Sequence, residues 1–428
     1  MNTKEELRRK HNMKLYPFYA MLSYDLLFYY AIRMLFLNEI KGLSASQIVL
    51  GSTIYAIISI IIQIPITMLV YRYGKKKMMI VGDLFMVIAS GILFFINSMF
   101  IFLIYQLCIS IGQGVKRITE SNLLTQSIPK SKFQNEIFIR IDKKGYGRYF
   151  ILSAITAIIA GYLYRINPYI PIFCTFIISV ISLFIAFSFY DFEKITDAKV
   201  HKEEKRYIKD LKSTMTFVIN SKRLRALFLY SSTIWAIIVL ISTYKMTLLQ
   251  DLGVSATFIG YAYAIFELLD GFGAKIALKF NEIFRKYSLF ITLFLISTTC
   301  IVIGIVSNIS LIFLVKMLLV MMLLCNLAII KGIAQIISRK YLNSFTNNKV
   351  LPSIYSVELI INNFGRMVVT FLGSILLLKF SIIYAFIILG VIILALAFLI
   401  SIYAKDKLGL SPDEYTDKDI FERKDFIF

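Results

Sequence analysis

The sequence predicts an all-α polytopic membrane protein of twelve transmembrane helices arranged as two pseudo-symmetric six-helix bundles. Three observations predict it. Of 428 residues, 58% are hydrophobic and 17% charged, and the mean hydropathy is +0.74; a soluble domain averages about 45–50% apolar residues. The apolar residues gather into runs of about the 20 residues that a bilayer crossing needs. The basic residues collect in alternate gaps between those runs. This composition excludes a soluble globular enzyme, a disordered chain and a secreted disulfide scaffold.

The first run, 16–37, follows the charged segment MNTKEELRRKHNMK. It is too long for a signal-peptide core and lacks a small-residue cleavage site, so 1–15 is read as a cytoplasmic tail. Runs at 47–70, 78–97, 99–119, 147–167 and 169–190 complete an N-terminal bundle over 16–190. A charged linker at 191–223 (HKEEKRYIKDLK, then TFVINSKRLRAL) is expected to carry an amphipathic helix on the cytoplasmic membrane face. Runs at 224–249, 256–280, 288–307, 309–331, 354–378 and 381–403 form a C-terminal bundle over 224–403, and 404–428 is a second cytoplasmic tail.

The net charge of +21 tests this layout. All but seven of the 47 Lys and Arg fall in the N-terminal tail, 71–77, 116–148, 191–225, 275–286, 331–349 and the tail from 405. Twelve alternating spans put all seven segments on one side, which by the positive-inside rule is the cytoplasm. Nucleic-acid binding predicts no such alternation and is not expected. The seven left over are Arg33, Lys41, Arg165, Lys245, Lys316, Arg366 and Lys379.

Cys108, Cys174, Cys300 and Cys325 lie far apart in apolar runs, and both histidines, His11 and His201, lie in charged stretches. Neither a metal site nor a histidine-based catalytic centre is expected. No phosphate-binding loop of the G-x-x-x-x-G-K-[ST] kind is present, so no nucleotide cofactor is expected.

The halves repeat. RMLFLNEIKGLSAS at 33–46 matches KMTLLQDLGVSAT at 245–257 with one gap, and YRYGKKK at 71–77 falls at the same offset as NEIFRKY at 281–287. One shared offset, near half the chain, points to duplication.

On these features the chain resembles the major facilitator superfamily, in particular its bacterial efflux-type members. The family's loop after span 2 reads G-x-L-A-D-R-x-G-R-K; here Leu69, Arg72, Gly74, Lys75 and Lys76 match, while Thr67 replaces the glycine and Tyr71 the aspartate. The resemblance implies that this loop gates, with Arg72 and Gly74 in the gate. Asp83, about 9 Å into span 3, is expected to pair with Arg72 in place of the missing aspartate. Two exporter motifs are absent: Gln106 and Ser110 stand where span 4 would carry R-x-x-x-G, and span 5 has only Gly161. Lys316 is the half-repeat counterpart of Gln106.

An ionisable group inside a span costs several kcal/mol, about 2.5–3.5 on insertion scales, unless it faces a cavity or partner. Asp25 lies near the midplane of span 1, and Glu267 and Asp270 share a face of span 8. With no histidine in any span, these three carboxylates are the candidates for proton coupling. Lys316, Gln106, Trp235 and the span 1 aromatics Tyr24 and Phe28 are candidates for substrate contact, since rings suit an amphipathic or cationic solute. The alternative for the charges is a static ion pair, such as Glu267 or Asp270 with Lys316. Arg33 and Lys245, half-repeat counterparts near the outer surface, and Glu358 and Arg366 on one stripe of span 11 are candidate gates. Lys116, Arg117, Glu120 and Lys331 are read as topology signals.

The expected function is secondary transport by alternating access, with both termini cytoplasmic in a bacterial cell membrane and the chain acting as a monomer. Its partners are a small-molecule substrate, protons or another coupling ion, and lipid. Proton-linked export of a small amphipathic compound is expected first, proton-coupled uptake of a nutrient second, and a channel or membrane enzyme last.

Overall fold

The computed structural model describes residues 3–129, 133–192, 197–310, 312–345, 351–405 and 407–408. All regular structure among them is helical: α1 Thr3–Ser23, α2 Tyr29–Leu35, α3 Ala45–Tyr73, α4 Lys75–Phe95, α5 Met99–Ser127, α6 Gln134–Ile166, α7 Tyr169–Phe187, α8 Asp197–Asn220, α9 Lys222–Asp251, α10 Ala256–Phe284, α11 Ser288–Asn308, α12 Phe313–Phe345, α13 Leu351–Lys379 and α14 Ile382–Ala404. A π turn, Phe36–Ile40, continues α2. The tail expected from 404 lies, beyond 408, outside the described residues.

Ten segments among the described residues are long and apolar enough to cross a membrane, and one of them, Ala256–Asn308, contains both α10 and α11. The chain is a multi-pass membrane protein. Several helices outrun the apolar stretches that announce them. α6 begins 13 residues before the run at 147, and α12 continues 14 residues beyond 331.

Two expectations are corrected here. The run at 16–37 is not one helix: it breaks between Ser23 and Tyr29, where Phe28 adopts φ 66°. A helix, α8, does occupy the linker expected at 191–223, but the stretch TFVINSKRLRAL is divided. α8 ends at Asn220, and Ser221 caps α9 by accepting a 3.3 Å hydrogen bond from the Leu224 N–H. Arg223 and Leu224 are buried rather than lying on a surface.

The chain forms two compact units. One comprises Met1–Arg206 with Val254–Ala264, the other Tyr207–Gly253 with Ile265–Phe428. In the first, Tyr16, Tyr19, Met79, Leu123, Leu124, Ala186 and Phe189 make a core where α1, α4, α5 and α7 meet. Small residues let the helices approach. Gly82 of α4 lies against Gly112 and Lys116 of α5, and Gly161 of α6 against the backbone of Ala256 and Thr257. In the second, α11 lies against α14 through Gly304 and Gly390, and Tyr244 of α9 donates a 2.7 Å hydrogen bond to the Gly373 carbonyl of α13. The faces left exposed carry large apolar side chains, Phe100, Ile151, Phe184, Leu399 and Ile402 among them, as a lipid-facing surface requires.

Candidate functional site

The break after α1 is the point from which the first unit's polar interior is built. A helix interrupted within a membrane leaves backbone groups that must find partners inside the protein. Here they do. Lys116 Nζ donates to the Ser23 carbonyl, Thr175 Oγ1 donates at 2.7 Å to the Leu27 carbonyl, and Asp25 Oδ1 accepts from the Leu26 N–H at 3.1 Å. Lys116 thus places a cation at the C-terminal end of α1, where the helix dipole favours one.

Asp25 stands in this break. Besides Leu26, its Oδ1 accepts from Gln113 Nε2 at 3.1 Å, and Gln113 Oε1 in turn accepts from the Tyr55 hydroxyl at 2.6 Å. Three cations act on the carboxylate: Arg117 and Lys116 of α5 and Arg33 of α2. Arg33 is itself set among the phenols of Tyr29, Tyr30 and Tyr105. Beside the break is a cavity of about 10 Å³, bordered by Phe28, Tyr30, Tyr149, Ser153, Thr156 and Tyr263. That is room for one water molecule.

A second cluster lies deeper in the same unit. Asp83 Oδ1 is 3.1 Å from Lys116 Nζ and 3.2 Å from Ser182 Oγ, and its Oδ2 accepts from the Tyr19 hydroxyl at 2.8 Å. Glu120 lies 3.7 Å from the same lysine and accepts from Ser23 Oγ at 3.2 Å. The expected pairing of Asp83 with Arg72 is therefore corrected. Asp83 points into the bundle, where Gly82 and Gly112 bring α4 and α5 together, while Arg72 is exposed. Gly74 adopts φ 89° between α3 and α4, a conformation that glycine adopts without strain.

In the second unit four charges share a field: Lys245 of α9, Glu267 and Asp270 of α10, and Lys331 of α12. Asp270 Oδ2 pairs with Lys331 Nζ at 2.8 Å, so Lys316, an example of a partner in the alternative of a static ion pair, is not the partner it uses. Lys316 Nζ donates to the Ser307 carbonyl at 3.2 Å, at the end of α11. Lys245 Nζ sits 4.3 Å from the Phe266 ring, a cation–π contact.

The remaining predicted residues are dispersed. Gln106 is buried against Gly51 of α3, and Trp235 is half-buried on α9. Tyr24 is exposed, its ring 4.4 Å from that of Tyr149 and 4.9 Å from that of Tyr146. Glu358 interacts with Asn362 and with the charge of Arg339, and the Arg366 carbonyl accepts from Thr370 Oγ1. The residues that sequence reasoning passed over are Lys116, Arg117, Glu120 and Lys331, taken as end-of-span signals, and the uncharged Gln113. Their spacing was a usable sign: Gln113 with Arg117, and Lys116 with Glu120, stand at i, i+4 and share helix faces.

Comparison with known proteins points one way. The family model described as Major Facilitator Superfamily matches residues 18–331. No curated protein sequence matches the chain. Among solved structures, a point mutant of the nucleoside transporter NupG superposes with TM-score 0.69 at 10% identity, covering 93% of this chain and 99% of its own. A D-xylose-proton symporter gives 0.68 at 12%, covering 93% and 98%. A POT family transporter in complex with 5-aminolevulinic acid gives 0.67 at 14%, covering 94% and 96%. At these identities the likeness is one of fold.

Proposed function

The chain belongs to the major facilitator superfamily and is a secondary transporter rather than an enzyme, and on that premise we propose that it couples protons to the uptake of a small polar solute bearing an anionic group. The observation that carries this is the environment of Asp25: a carboxylate in a broken helix, hydrogen-bonded by Gln113 and within the field of Arg33 and Arg117. While Asp25 is ionised, it compensates those cations. When it takes a proton, one of them loses its counter-charge, and an anionic solute group is the natural replacement. Proton and solute then bind together, which is symport. An alternating-access cycle releases both on the other side.

Two of the similar structures bear on the solute class. One is named as a D-xylose-proton symporter, and another holds 5-aminolevulinic acid, a molecule with both a carboxylate and an amine. The tyrosine hydroxyls around Arg33 supply donors and acceptors for such a polar solute.

A second reading, export of an amphipathic cation, is favoured by the exposed Tyr24 ring against Tyr146 and Tyr149. One experiment separates the two. Proteoliposomes with an alkaline interior are offered labelled amino acids, dipeptides, sugars, nucleosides and an aromatic cation. Uptake driven by the gradient, lost in Asp25→Asn while solute exchange persists, supports symport. Accumulation of the aromatic cation alone, and only with the gradient reversed, supports export.

A further inference from the structure

We propose that Glu120 is a second proton-binding group of the first unit, linked through Lys116 and Ser23 to the break that carries Asp25; this rests on the reading of the chain as proton-linked.

The charge count comes first. Asp83, Lys116 and Glu120 are two acids and one base, all withdrawn from solvent. One lysine cannot compensate two buried carboxylates, and an uncompensated buried charge is costly. The geometry decides which acid is left over. Asp83 is fully served, by Lys116 at 3.1 Å, Tyr19 at 2.8 Å and Ser182 at 3.2 Å. Glu120 has the longer lysine contact, 3.7 Å, Ser23 Oγ at 3.2 Å, and only a share of the Tyr19 phenol, whose 2.8 Å bond goes to Asp83. A proton therefore adds to Glu120, and Lys116 is then left with Asp83 and the Ser23 carbonyl.

The link to the break is direct. Lys116 holds the Ser23 carbonyl and Glu120 the Ser23 hydroxyl, and Ser23 is the last residue of α1, two before Asp25. Ionised Glu120 accepts the serine hydroxyl. Protonated Glu120 becomes a donor and loses its charge attraction for Lys116. Both changes fall on the residue where the first helix stops.

Among the described residues, the groups that act on Glu120 are few. α5 supplies Lys116, α4 supplies Asp83, and α1 supplies the phenols Tyr16 and Tyr19. From α6, Asp142 and Tyr146 act on Tyr16, Asp142 accepting its hydroxyl at 3.0 Å. α7 has no charged residue, and its Ser182 donates to Asp83 rather than to Glu120.

The test needs no solute. Infrared titration of the full-length protein in lipid, from neutral to acid pH, follows the C=O band of each carboxylic acid as it forms. The wild-type-minus-Glu120→Gln difference should hold one such band from a poorly hydrated site, and the wild-type-minus-Asp25→Asn difference another. If the Glu120→Gln difference holds none while that of Asp25→Asn does, Glu120 is a static partner and the inference falls with the symport reading intact. If only the Asp25→Asn difference is empty, the symport reading falls and Glu120 stands. Should Glu120→Gln fail to fold, Ser23→Ala must move the midpoint of one band, because it removes the donor to Glu120; unchanged midpoints would overturn the proposal.

Discussion

Asp270 Oδ2 lies 2.8 Å from Lys331 Nζ, and the residue beside that lysine is what lets the two meet. Gly332 packs α12 directly on the Asp270 backbone of α10, and Gly273 packs α10 on the Ile329 carbonyl of α12. A Cβ on Gly332 would collide with the Asp270 carbonyl and stand 2.7 Å from the Ala274 nitrogen. Backbone cannot yield as a side chain can. Gly332→Ala should therefore destabilise by about 1–3 kcal/mol, the usual cost of overpacking. Gly271 has open space where its Cβ would be, so Gly271→Ala should be neutral or gain up to ~1 kcal/mol in helix propensity. Thermal unfolding in detergent compares them, and equal midpoints for the two variants would contradict the crossing.

Lys116 poses the same question with charge instead of volume. Removing it leaves Asp83, buried and 1% exposed, without its cation. Breaking a buried pair from one side costs about 3–5 kcal/mol. Lys116→Met should lose roughly that much, and adding Asp83→Asn should recover a large part, because the more deeply buried of the two acids that Lys116 serves then carries no charge. Denaturation of the two single variants and the double variant gives the coupling directly. Strict additivity would show that the pair contributes nothing as a pair.

These two lysines also show where sequence reasoning reached its limit. The helices were legible because apolar runs of membrane length have few other uses. Asp25 and Asp270 were legible because an isolated acid in such a run is expensive. Lys116 and Lys331 carry the same cost, yet both sit where an apolar run ends, and there a lysine is an ordinary topology signal. What separates the two roles is the neighbouring helix: Gly82 and Gly112 close over one lysine, and Gly273 and Gly332 position the other. No count along a single helix contains that information. The break at Tyr24–Phe28 was hidden for a related reason. Its stretch is apolar over the length of a span, and the groups that satisfy its backbone, Lys116 and Thr175, are remote in sequence.

Phe28 gives the break its own test. It holds φ 66° and ψ −38°, a region closed to most side chains and most costly for β-branched ones. The cost of such a residue is about 1–3 kcal/mol. Phe28→Gly relieves the strain but loses apolar contact, so it should stay close to wild type in stability. Phe28→Val loses contact and worsens the strain, so it should be the less stable of the pair by at least ~1 kcal/mol. Melting temperatures in the same detergent rank them. Should Val prove the better tolerated, residue 28 does not hold a positive φ in the folded protein.

Gln113 is the remaining link, since it ties Tyr55 to Asp25 with one bond on each side, 2.6 and 3.1 Å. Gln113→Leu keeps the volume roughly constant but strips Asp25 of its only side-chain amide donor among these bonds and leaves the Tyr55 hydroxyl without that acceptor. Two partner groups are affected, each at about 1–3 kcal/mol if left unsatisfied. Tyr55→Phe removes the hydroxyl itself, so that its bond to Gln113, worth about 1 kcal/mol, is lost while the Gln113–Asp25 contact survives. The two variants should therefore divide by what they measure. Tyr55→Phe should leave gradient-driven accumulation in proteoliposomes within about twofold of wild type, a difference of under ~0.5 kcal/mol. Gln113→Leu should lower it by about tenfold or more and displace its dependence on external pH, because Asp25, the proposed proton carrier, has lost a hydrogen bond to its charged form. An unchanged pH profile in Gln113→Leu would mean that Asp25 does not carry the proton, whatever happens to the overall rate.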